Sequence, residues 1–335
     1  MQCNIIQCSQ SVRNHHTINS DKLSHVSLSN SAPSCQSCAN IDFDTRCPRR
    51  SEKASPSLLP GHLNRMFERI VANAPGNQTE ETQLLAQQKQ VQDDGVPYYT
   101  VHVHSRPESV SSITDVDHDI VSRKADLEEA PWVVTFDNFL TDEECDHLIE
   151  LGHIGGYQRS KDVGIRTADG SYSGKVSTTR TSENAWCSGK TGCRDDAIAT
   201  RVRDRISNVT QIPSQNFEDY QMLKYEKEQF YQLHHDYIPH QRERACGPRI
   251  LTFFLYLSDV EEGGGTGLDQ INGGLVVNPK KGKALLWPSV LNYDPSEKDG
   301  RTTHEAIAVK EGTKFAANTW IHLYDVIESQ KRGCT

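Results

Sequence analysis

The last third of the chain breaks into short strand-like pieces, and this limits the fold more than any other feature. After about residue 213 come FEDYQMLKY, QFYQLHHDY, RILTFFLYLSDV, GGLVVNP, KALLWPS, TTHEAIAV and KFAANTWIHLY, separated by turn signals such as Gly263-Gly264-Gly265 and Asn272-Gly273-Gly274. Only two strong helical patterns precede them. In PWVVTFDNFLTDEECDHLIELG a strand runs into a helix whose start carries a capping box, Thr141 with Glu144, and a staple residue, Leu140. DDAIATRVRDRISNVT places Ile198, Val202 and Ile206 every four residues, an amphipathic helix. Helices that do not alternate with strands exclude a doubly wound sheet. The expected class is α+β, mainly β: a jelly roll, or double-stranded β-helix, backed by helices.

Upstream of that body the texture changes. Residues 1–58 are rich in Ser, Asn, Gln and Cys without a sustained period, and the apolar content of the 335-residue chain is only 35%. Both point to a poorly structured N-terminal region. The boundaries expected are a cysteine-containing region and linker over 1–125, with a short helix near 61–72; a main domain over 126–328; and a tail over 329–335. Leu63, Met66, Phe67, Ile70 and Val71 share one face of that helix, so it docks on the main domain. VPYYTVHVHS alternates like a strand, with its histidines at a surface or β-edge. Cys35-x-x-Cys38 has no second zinc pair, and five cysteines in the first fifty residues resemble disulfide material from an oxidising compartment. Cys187 and Cys193 flank a short Gly-containing loop and read equally well as a disulfide or as free thiols. Asn77 and Asn208 head glycosylation sequons, informative only on the secretory route.

A net charge of −9 argues against a nucleic-acid partner. No apolar run reaches the length of a membrane span, and the first residues lack the basic and apolar segments of a secretory signal. Oligomeric state leaves no trace in the sequence.

The chemistry concentrates in YQLHHDYIPH. Residues two apart on a strand face the same side, so His234 and Asp236 offer one nitrogen and one oxygen to a single ion while His235 points away. Neither His235 nor His240 is expected to bind metal. His304 and His322 are the downstream candidates for a third ligand. Two histidines and one carboxylate form a facial triad that leaves positions on iron(II) for a cosubstrate and oxygen. Hydrolytic zinc competes, but there is no HExxH and no glutamate stands out as a base. Lys314, ten residues past His304, has two readings. It is an edge lysine facing solvent, or it sits at the inner end of the barrel, where it pairs with the far carboxylate of a dicarboxylic cosubstrate.

Residues 131–326 resemble the catalytic domain of prolyl 4-hydroxylases, members of the 2-oxoglutarate and iron(II)-dependent dioxygenases. The matching stretches run in order: FDNFLTDEECDHLIELG, RTSENAWC, LKYEKEQFYQLHHDY, PRILTFFLYLSDVEEGGGT, VNPKKGKALLW, and His304, Lys314 and Trp320-Ile-His. The resemblance implies His234, Asp236 and His304 as iron ligands and Lys314 as the partner of the distal carboxylate of 2-oxoglutarate. Tyr225 and Tyr256 are then hydrogen-bond partners of the cosubstrate or core aromatics, the two readings evenly balanced. Arg180 lies near a peptide substrate, and Trp320 walls the pocket or is structural. Iron(II), 2-oxoglutarate, oxygen and ascorbate are the implied cofactors, a proline-containing peptide or protein the substrate, succinate and carbon dioxide the coproducts, and the endoplasmic reticulum the compartment.

Two departures from the family pattern stand out. The glycine turn reads Glu262-Gly263-Gly264-Gly265-Thr266 where the family has Glu-Gly-Gly-Glu-Thr, and a Phe expected soon after is replaced around Leu268. Both fall in a loop expected near the substrate rather than at the triad. The rival readings are the same chemistry on another substrate and a peptide-binding domain without turnover. A halogenating variant is disfavoured because Asp236 fills the halide's place.

Overall fold

The computed structural model describes residues 61–77, 97–107, 130–166 and 172–334. The cysteine cluster before residue 50, the disorder expected over 1–58 and most of the linkers expected over 73–95 and 105–130 lie outside the described residues. In chain order, α1 (His62–Asn73), β1 (Thr100–Ser105) and β2 (Val133–Asp137) precede α2 (Asp142–Gly155). Four short strands follow: β3 (Gln158–Arg159), β4 (Lys161–Arg166), β5 (Tyr172–Val176) and β6 (Glu183–Trp186), then α3 (Ala197–Thr210). The rest is β7 (Gln221–Tyr225), β8 (Tyr231–His234), β9 (Arg249–Tyr256), β10 (Glu262–Gly263), β11 (Thr266–Leu268) and β12 (Leu275–Val277). It closes with β13 (Ala284–Pro288), β14 (His304–Ala306), β15 (Val309–Glu311), β16 (Lys314–His322) and α4 (Val326–Lys331).

Eight strands form the major sheet in the order β1-β2-β13-β9-β16-β7-β6-β3, and β12-β11-β14-β8 form a minor one. All pairings are antiparallel, as a jelly roll requires. The long central strands are buried on both faces, which is why their sequences read as nearly continuous apolar runs rather than alternating ones. Alternate residues serve different cores. Phe136, Phe253, Leu255, Leu286 and Ala317 pack against the helices, with Leu148, Val202 and Ile206. Val133, Phe254, Tyr256, Leu285, Trp287 and Ala316 face inward, toward Leu268, Val277 and Ala306 of the minor sheet.

Both helices read from the sequence form, with their caps. Thr141 accepts from the Glu144 backbone N–H, and the Glu144 carboxylate accepts from the Thr141 backbone N–H. Asp196 caps α3, its side chain accepting from Ile198 and Ala199. The buried Glu144 also binds Arg205 through two hydrogen bonds, 2.7 and 2.8 Å, and so ties α2 to α3.

Segments outside the domain expected over 126–328 add to the body. The N-terminal region placed over 1–125 contributes structure to the body: α1 buries Leu63, Met66, Phe67 and Ile70 in the helix-side core, and β1 pairs with β2 as the edge of the major sheet. The tail placed over 329–335 begins inside α4, and its Cys334 is buried and disulfide-bonded. Strands β3 to β6 were not anticipated, because they are short, polar and peripheral. Among the described residues no helix is long and apolar enough to cross a membrane.

Candidate active site

Cross-strand register builds the centre. β14 pairs with β8 so that His304 lies opposite His234. Strand β8 ends at His234, so Asp236 lies just past the strand rather than on it, and its side chain still returns to the same side. Donor atoms of His234, Asp236 and His304 all lie within 4.8 Å of one another, the one such group of metal-ligating side chains among the described residues. His234 Nε2 is 3.9 Å and His304 Nε2 3.4 Å from the Asp236 carboxylate.

The ring orientation decides what these atoms can do. His234 Nδ1 lies 2.9 Å from the Gln232 carbonyl, and His304 Nδ1 lies 3.0 Å from the Thr302 carbonyl. A carbonyl only accepts, so each Nδ1 carries the proton and each Nε2 keeps its lone pair for an ion. Burial, reinforced by the neighbouring His304, lowers the His234 pKa to about 3, so it is neutral as a metal ligand must be. Burial works against charge on Asp236, yet His304, His234, Arg249 and a 2.7 Å hydrogen bond from Thr252 hold its carboxyl well below the usual range. His235 turns away as expected, bonded to the Asp299 carbonyl at 2.8 Å. One nitrogen from each histidine and one carboxylate oxygen fit a ferrous ion.

Around this centre lies a cavity of about 750 Å³, walled by Arg180, Tyr225, Tyr231, Arg249, Trp287 and Trp320 among others. A second cavity of about 730 Å³, between α1 and α3, holds no cluster of ligating groups among the described residues. Tyr231 stacks on His234 with ring centres 3.5 Å apart, and Arg180 lies 4.8 Å from the centre of the Tyr231 ring. Arg180 is held in turn by Ser182 and Gln221. Asn318 Oδ1 and the indole nitrogens of Trp287 and Trp320 are buried in the wall without a hydrogen-bond partner among the described residues, groups that a polar ligand would satisfy.

Lys314 is not an edge lysine. It is fully buried, and its Nζ donates a 2.6 Å hydrogen bond to the Gly264 carbonyl beside the rings of Tyr225, Phe254 and Tyr256. With no carboxylate paired to it among the described residues, burial lowers its pKa to about 7. The departing glycine turn therefore touches Lys314. A side chain at Gly265 would meet Val276 at 2.9 Å, so the family's glutamate does not fit this backbone unmoved. Tyr225 lines the cavity, its hydroxyl engaged by Ser182 and Arg180. Tyr256 lies behind the wall, its hydroxyl donating to Thr266 at 2.7 Å.

His322, the other candidate third ligand, belongs elsewhere. Its Nε2 is 2.8 Å from Glu218, whose carboxylate also binds Arg249 through two hydrogen bonds, 2.6 and 3.0 Å. Arg249 lies 3.7 Å above the Trp320 ring, on the cavity wall. Sequence reasoning overlooked Arg249, Glu218 and Thr252. An arginine heading the otherwise largely apolar run RILTFFLYL was the available signal.

Burial disfavours charge on His322, but contacts with Cys246 and Glu218 prevail and raise its pKa to about 9. A raised histidine pKa stabilises the fold fully below the unfolded value near 6.5, and that contribution is lost as pH rises through about 9. The shift is worth about 3 kcal/mol. Denaturant titrations of wild type and His322→Gln should therefore converge between pH 6.5 and 9.5, a comparison in which the opposite trend of Lys314 cancels. A stability difference independent of pH would exclude a charged His322.

Residues 220–322 match the model of the 2OG-Fe(II) oxygenase superfamily. Prolyl 4-hydroxylase 2 of Arabidopsis thaliana is 34% identical over 238 residues, covering 64% of this chain and 75% of that protein. Probable prolyl 4-hydroxylase 8 of the same plant is 35% identical over 216 residues, 58% of this chain and 70% of that one. Among solved structures, the viral collagen prolyl hydroxylase of Paramecium bursaria Chlorella virus-1 in its 2OG complex aligns at 26% identity. That alignment covers 57% of this chain and 95% of that one, with a TM-score of 0.43.

Proposed function

Because this chain belongs to the prolyl 4-hydroxylases of the 2OG-Fe(II) oxygenase superfamily, we infer that it hydroxylates proline residues of peptides or proteins. When bound, iron(II) and 2-oxoglutarate supply the oxidising power: oxygen is consumed, the cosubstrate leaves as succinate and carbon dioxide, and proline gains one oxygen atom.

The chain's own residues hold, orient and shield. His234, Asp236 and His304 would hold the ion, and three protein donors leave the rest of its coordination sphere for ligands. Lys314 places a buried cation for the distal carboxylate of 2-oxoglutarate, and Tyr225 borders the same space. Tyr256 supports that end of the site through Thr266 and contributes no free hydroxyl. Tyr231, with Arg180 over it, braces the His234 ring, while Trp320 and Arg249 wall the cavity that would receive a peptide. Positioning of this kind selects which C–H bond is attacked. One observation carries the reading: both imidazoles commit Nδ1 to a backbone carbonyl and turn a free Nε2 toward the same carboxylate.

Ascorbate, as the reductant that keeps iron ferrous, is part of this proposal. So is the secretory route, supported by the Cys187–Cys193 disulfide, by the disulfide-bonded Cys334 and by the exposed Asn208 sequon. The test is incubation with iron(II), ascorbate, 2-oxoglutarate and a panel of proline-containing peptides, followed by mass spectrometry for one added oxygen on proline. Succinate release without peptide oxidation would move the substrate to another class. An absence of turnover would favour a binding domain.

A further inference from the structure

We propose that Trp186 and the loop closed by the Cys187–Cys193 disulfide form a remote peptide subsite, which holds proline-rich sequence several residues away from the proline being hydroxylated. The inference rests on the proline-peptide reading above and adds what selects the peptide.

The catalytic cavity does not end at the triad. Its wall continues past Trp320 to Trp186, Ser188 and Thr191, with Gly155 and Gly156 at the end of α2. Trp186 is 42% exposed, and its ring centre lies 6.2 Å from that of Trp320. The open Trp186 indole, next to the buried Trp320 in the cavity wall, offers an aromatic face of the kind that extended proline-rich segments dock on. Such segments are preformed, advance about 3.1 Å per residue and dock on aromatic faces. Because this face is continuous with the cavity, one peptide can reach both.

The face is also rigidly held. Trp186 pairs with Gln221 at the β6–β7 edge, and the Cys187 backbone N–H donates to the Tyr220 carbonyl at 2.9 Å. The disulfide then closes the loop, in which the Thr191 hydroxyl donates to the Ser188 carbonyl at 2.9 Å. Just beyond it, Arg194 Nε donates to Asp219 at 2.8 Å. A large apolar side chain left half open on so fixed a frame loses little further freedom when a ligand covers it.

The test compares two peptides. One spans only the target proline and its immediate neighbours; the other repeats proline-containing sequence over about ten residues, roughly 30 Å when extended. Wild type should favour the long peptide in kcat/KM by roughly tenfold or more, the scale of one aromatic anchor. Replacing the distal prolines of the long peptide with alanine should erase the advantage. Trp186→Ala, which empties the subsite, and Thr191→Trp, which fills it, should each bring the long-to-short ratio toward one. Partial misfolding lowers both rates equally and cancels in that ratio. An unchanged ratio in either variant overturns the subsite. If wild type hydroxylates no proline peptide of any length, the proline-peptide reading fails first and the subsite with it.

Discussion

His304→Ala should lose ferrous ion binding and lower 2-oxoglutarate turnover by more than roughly a thousandfold, because two donors cannot hold the ion. The register explains why no neighbour rescues it. His304 faces His234 directly across β14 and β8, and the other candidate, His322, is bonded to Glu218 and to the Gly247 carbonyl. The buried imidazole gives its proton to a backbone carbonyl, so its loss should cost the fold about 1–3 kcal/mol, that of one unsatisfied buried acceptor. Anaerobic iron titration, succinate release and thermal unfolding read the three consequences. Succinate formation near the wild-type rate would remove His304 from the ligand set.

The second large effect separates stability from activity at Lys314. Lys314→Met keeps the length of the side chain and removes a buried charge whose one hydrogen-bond partner among the described residues is the Gly264 carbonyl. KM for 2-oxoglutarate should rise about a hundredfold or more, as expected when a buried carboxylate loses its cation. The melting temperature should rise at the same time. The sign follows from the lysine's pKa of about 7 in the folded chain, against an ordinary value near 10.4 when unfolded. The unfolded chain binds the proton more tightly, so Lys314 destabilises the fold at neutral pH. That penalty fades as pH rises toward the unfolded value. Cosubstrate affinity runs the other way: above pH 7 the free site is neutral and must take up a proton to pair with the carboxylate, so apparent affinity falls about tenfold per pH unit. An unaltered KM together with a lower melting temperature would mean that Lys314 is structural.

Much of this site was legible because strands have a period of two. Along β16 that period places Lys314, Ala316, Asn318 and Trp320 on the inner face and Phe315, Ala317 and Ile321 toward the helices. Arg249 escaped the same logic. The register of β9 against β16 shifts between Ile321 and His322, which pair with Leu251 and Arg249 and leave Ile250 as an extra residue. A bulge reverses which face a residue occupies, so Ile250 joins the helix-side core while Arg249 reaches the cavity. No pattern in the sequence marks that shift. Nor does spacing alone choose between His304 and His322, since only tertiary register brings one of them opposite His234. The docking of α1 followed from its apolar face, whereas β1 joined the sheet edge beyond the boundary expected for the domain.

The two ligand histidines share one more property. Each takes its orientation from a backbone carbonyl two residues earlier in its own segment, Gln232 for one and Thr302 for the other. Main-chain acceptors survive every substitution that preserves the strands, so no change of side chain elsewhere can take away the group that sets the tautomer. A metal centre built this way tolerates sequence drift around it. The walls of the cavity are then free to change in evolution, and descendants of one such chain can acquire new substrates while inheriting the same oxygen chemistry intact.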